Sequence, residues 1–113
     1  MNNTEVVNTT SKYIVKTTGI GSETNEILVD AEKLAEGTDG SKVSLIECYY
    51  LIEGTGTLTI SADAEHPNKL NLTGKGKYGL RPGQLKFGND KQFTLTTDFH
   101  VKSYLLVTEF RRN

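Results

Sequence analysis

Apolar side chains recur at every second position through most of this chain, the period of a strand with one buried face. Tyr13, Val15 and Thr17 are set against Ile14 and Lys16 until Gly19 and Gly21 break the run. Residues 26–31 follow, with Ile27 and Val29 on one side and Leu28 on the other. Residues 42–53, KVSLIECYYLIE, are densest in β-branched and aromatic groups, and their second half is apolar on both faces. Such a strand belongs at the centre of a sheet, or turns its second face to another subunit. Gly54 and Gly56 mark a reversal into 57–62, where Leu58 and Ile60 oppose Thr57, Thr59 and Ser61. The two strands read as a hairpin.

Residues 63–68 carry Pro67 and read as a loop. Short extended segments follow at Leu70 and Leu72, at Tyr78 and Leu80, and at Leu85 and Phe87, separated by Gly74, Gly76 and Arg81-Pro82-Gly83. Phe93, Leu95 and Thr97 alternate cleanly, and 101–111 sets Tyr104, Leu106 and Phe110 against Leu105 and Val107. Residues 30–40, with Asp30 as cap and Gly37 as stop, form the one segment with helical character. The pattern predicts an all-β fold, an antiparallel β-sandwich or jelly-roll-like barrel of about eight strands with one short helix. It divides the chain into a flexible N-terminal arm, 1–11, and a single β-sandwich domain, 12–113. Val6 and Val7 are the arm's apolar pair, and the arm is expected to order by adding a strand to a neighbour or threading along it.

Composition adds limits. An apolar fraction of 35% suffices for one core if most of it faces one interior. The net charge of -1 conceals an asymmetry: residues 1–65 hold 4 Lys/Arg against 11 Asp/Glu, and 66–113 hold 9 against 3. The halves cancel if they become neighbours in the fold; otherwise they give acidic and basic faces suited to directional docking. Cys48 stands alone in an apolar run and reads as a small buried hydrophobe, with no intrachain disulfide. MNNTEVVNTTSK has no basic start and apolar stretch of a secretory signal, so the sequons at Asn2, Asn8 and Asn71 carry no weight. No apolar run approaches the roughly 20 residues of a membrane span.

Candidate chemistry is thin. His66 lies beside Asp63 and Glu65, too few ligands for a metal site, and His100 and Asp98 read as a surface pair. Neither GTGTLTI (54–60) nor TGKGKYG (73–79) has phosphate-loop spacing, and no nucleophile has its base and acid. The reading is therefore not an enzyme, with no catalytic residue, metal or cofactor. A divergent cupin-like hydrolase or isomerase lacks its histidine cluster. Lys69, Lys75, Lys77, Arg81, Lys86 and Lys91 form a basic stretch interleaved with Tyr78 and Phe87. Such a stretch suits phosphate tracking with base stacking, an acidic protein surface, or plain solvation; the lack of overall positive charge disfavours nucleic acid. Tyr49 and Tyr50 point to opposite faces, as do Leu105 and Leu106. With Val6 and Val7 they are the interface candidates, the surplus faces marking an oligomer seam or a partner contact, unless a central position buries both.

Residues 25–78 resemble a family of small virion structural proteins of tailed bacteriophages, marine and cyanobacterial ones especially. The matching residues are Val29, Asp30, Ala31 and Leu34; Val43, Ser44, Ile46, Tyr49 and Tyr50; and Gly54, Leu58, Asp63 and Ala64. Leu72, Gly74, Gly76 and Tyr78 continue the likeness, and FTLTTDFHVKSYLLVTEFRR is similar to the family's closing strands. Tyr49 and Ser61 stand in or near places where the family often has tryptophan, which this chain lacks. The resemblance implies a capsid decoration or cement protein, or another small head or tail component, assembled in the host cytoplasm and located on the capsid surface. Its partners would be the major capsid protein or other virion proteins and further copies of itself, with no membrane. The alternative class is a carbohydrate- or nucleic-acid-binding module using Tyr50 or Tyr78 with nearby Lys and Asn.

Overall fold

The computed structural model describes residues 1–9, 11–34, 40–62, 69–79 and 87–112, and for 87–90 the backbone alone. The alternating segments form ten strands: β1 (Asn2–Asn8), β2 (Lys12–Ile20), β3 (Glu26–Asp30), β4 (Val43–Gly54), β5 (Leu58–Ser61), β6 (Lys69–Leu72), β7 (Lys75–Gly79), β8 (Phe87–Asp90), β9 (Gln92–Thr97) and β10 (Val101–Arg112). They make two antiparallel sheets. The six-stranded sheet runs β1-β2-β10-β4-β7, with β8 also paired to β4; the four-stranded sheet runs β3-β9-β5-β6.

The expected sandwich or jelly-roll-like barrel with one short helix is corrected on three counts. Among the described residues the strands number ten, neither sheet closes and no α-helix occurs. The start of 30–40 is a single 3-10 turn, Ala31–Lys33, and Leu34 is already extended. The reason is local competition for the backbone. Ala31 N donates to Lys91 O at 2.7 Å, prolonging strand-like pairing, while Glu32 Oε2 accepts from Gly40 N at 2.9 Å. Residues 35–39 lie outside the described residues.

Two further expectations change. β4 and β5 are not a hairpin: β4 belongs to the six-stranded sheet and β5 to the four-stranded one. The chain crosses between sheets at Gly54, whose φ of +101° suits glycine and whose missing side chain admits His100 O. Residues 2–8, expected within a flexible arm, pair with β2 along its length as an edge strand. Thr17 Oγ1 donates to Asn3 Oδ1 at 2.7 Å and Arg112 Nη1 to Asn8 Oδ1 at 2.8 Å, so the segment is held within its own chain.

The core lies where the sheets meet. Val15, Leu45, Cys48, Leu106 and Phe110 from the six-stranded sheet are fully buried, as are Leu58, Ile60, Phe93 and Leu95 from the four-stranded sheet. Phe93 and Phe110 join the two sheets, ring centroids 5.2 Å apart. Burial pushes the Cys48 thiol up to about 11, so it stays neutral inside the core.

Candidate functional site

With one side of the six-stranded sheet committed to the core, register decides what the other side displays. Across β2, β10, β4 and β7, one row reads Lys16, Val107, Tyr49, Lys77, and the next Thr18, Leu105, Leu51, Lys75. On the other flank of the first row lie Ile14, Glu109 and Glu47. The result is an apolar band bounded by lysines on β7. Tyr49 is 50% exposed and Leu51 44%, while Ile14, Leu105 and Val107 are half-buried.

Two hollows interrupt this face. One of about 320 Å³ is lined by Ile14, Glu47, Tyr49, Val107 and Glu109; one of about 190 Å³ lies beside it, between Tyr49, Leu51, Leu105 and Gly76. Lys77 Nζ sits 5.0 Å from the centroid of the Tyr49 ring and 3.5 Å from Glu47 Oε1. Tyr49, and after it Glu47, hold the Lys77 ammonium above its ordinary pKa, against a smaller opposing effect of burial. At Gly76 a Cβ would come within 2.8 Å of the Tyr50 hydroxyl, so any side chain there requires the end of the Tyr50 ring to shift.

The interface candidates divide. Tyr49 and Leu105 are on the outer face, Leu106 is fully buried, and Tyr50 is half-buried, packing against the core while also lining the smaller hollow. Val6 is exposed on β1, at the bulge in its pairing with β2, and Val7 pairs with Ile14 at the edge of the same sheet. Alternation alone contained what was missed. Leu51 and Glu47 lie two positions from Tyr49, and Val107 lies two from both Leu105 and Glu109. Each therefore shares its neighbour's face.

The basic stretch does not gather at one place among the described residues. Lys75 and Lys77 rim the outer face, Lys69 begins β6 in the other sheet, and Lys91 pairs with Glu32 at 3.2 Å. Arg81, Lys86 and the loop with His66 lie outside the described residues. Tyr78, like Tyr50, is half-buried and packs against the core.

At the other candidate pair, Asp98 accepts from His100 N at 2.9 Å and Thr57 N at 3.0 Å. These contacts, led by Thr57, hold its carboxyl below the usual range, so Asp98 fastens the turn before β10 to the start of β5. Among the described residues no group of three or more His, Cys, Asp or Glu is arranged to hold a metal ion, and no helix is long and apolar enough to cross a membrane. No protein-family model, curated protein or solved structure matches the chain.

Proposed function

We propose that the protein acts by contact, docking the outer face of its six-stranded sheet onto another protein. One observation carries this reading: Tyr49, Leu51, Leu105 and Val107 form a continuous apolar band on a sheet whose other side already supplies the core. An apolar surface with a charged rim has the anatomy of an interface. In its specific form the protein is a small virion part of the capsid decoration or cement type, an assignment supported by the resemblance over 25–78 and 93–112. Repetition over a lattice would multiply a modest contact into firm attachment.

The test is amine-reactive cross-linking of intact particles from the source, followed by mass spectrometry. The expected result is cross-links to a partner protein from Lys16, Lys75 and Lys77, and few from Lys69 and Lys91. Cross-links confined to Lys69 and Lys91 would refute the choice of face. Absence of the chain from purified particles would refute the virion role.

A further inference from the structure

Glu47 on β4 and Glu109 on β10 are direct partners across neighbouring strands, their side chains both on the outer face. Like charges so placed repel one another. Glu47 is only 7% exposed, and Lys77, at 3.5 Å, is its one ion pair among the described residues; Glu109 makes none there. The Lys77 side chain is itself 41% exposed at the rim and pairs with Glu47 alone, which leaves the neighbouring Glu109 carboxylate without a cation among the described residues. Both glutamates line the hollow of about 320 Å³, together with Ile14, Val107 and Tyr49. Its chemistry is that of a socket for a long side chain with an apolar stem and a cationic head.

Two simple self-pairings of this face do not supply that head. A two-fold axis along the strands through the middle of the face sets the Glu47–Glu109 row against itself. An axis across the strands sets it against Ser103 and Glu53, which pair at the opposite end of the face. In these two arrangements carboxylate meets carboxylate. We infer that the Glu47–Glu109 notch receives a lysine or arginine side chain from a different protein that covers this face. The inference rests on the docking reading and names the chemistry of the partner. The stem lies on Ile14 and Val107, and the head bridges the two carboxylates.

The probe is n-butylguanidinium chloride, titrated into the full chain at constant ionic strength and followed by NMR. Its neutral isostere n-butylurea is the control. Saturable shifts are expected at Ile14, Glu47, Tyr49, Val107 and Glu109, with binding weakened roughly tenfold for n-butylurea and in Glu109→Gln. Glu47→Gln, read in parallel, guards against a local rearrangement in the first variant. Shifts that do not saturate, that are equal for the two probes, or that are unchanged from the original chain in both variants, would overturn the inference. Cross-links from Lys75 and Lys77 would still stand in that event, so the docking reading and the basic-side-chain reading fail separately.

Discussion

The two sheets share one core but turn opposite characters outward. Behind the four-stranded sheet the rows read Ile27, Thr94, Ser61, Lys69 and then Thr96, Thr59, Asn71. Hydroxyls and amides there satisfy one another, as Thr59 with Asn71 at 2.9 Å and Thr96 with Asn25 at 3.3 Å. Behind the six-stranded sheet, the same alternation presents Ile14, Val107, Tyr49, Leu105 and Leu51. Threonine suits a pleated surface facing water, whereas aligned leucine, valine and tyrosine gain only when water is removed. The contrast teaches that alternation marks which side chains share a face, and residue chemistry marks what that face is for.

The largest effect should come from removing what both faces share. Phe93→Ala deletes the ring that meets Phe110 across the core and is expected to cost about 3–5 kcal/mol, read from urea unfolding. A smaller change in the outward faces alone sharpens the contrast. Tyr49→Ser with Leu51→Thr makes the six-stranded face resemble the other, and should weaken co-sedimentation with particles by about tenfold or more. The mirror change, Thr59→Val with Thr96→Val, should leave co-sedimentation as it was. Equal losses from the two double variants would erase the distinction.

Alkali probes the shared interior. The Cys48 thiol titrates near 9.0 when unfolded and at about 11 when folded, so the unfolded chain releases its proton first. Stability should therefore fall as pH rises from 9 towards 11, and Cys48→Ala should flatten that slope in urea midpoints. Tyr13 and Tyr104, whose phenols are also raised chiefly by burial, tilt the same limb in the same direction. The smallest effect belongs to the notch. Glu109→Gln removes a like-charge pair and should stabilise the free protein by about 0.2–1 kcal/mol, seen as a higher urea midpoint. Destabilisation instead would show that the two carboxylates do not oppose each other in the free protein.

Much of the candidate site was legible at the level of single strands. Tyr49 parted from Tyr50, and Leu105 from Leu106, because successive side chains in a strand leave opposite faces. The pairing of Glu47 with Glu109 was not legible, since these residues lie far apart in the chain and meet only through the register of β4 on β10. For the same reason the basic stretch looked continuous along the chain but is divided between sheets, with Lys69 before the crossing at Gly74 and Lys75 and Lys77 after it. The hairpin read into 42–62 failed because glycine marks a change of direction without saying which strand will be met next.

Local sequence thus determined the extended segments and the inward or outward sense of each side chain, because both follow from a two-residue period and from burial. Tertiary structure alone decided that β10 lies between β2 and β4, that 2–8 closes onto β2, and that two carboxylates lie side by side in the lining of one hollow. Strand order and register depend on contacts between distant parts of the chain. A pattern confined to a few neighbouring residues does not hold that information.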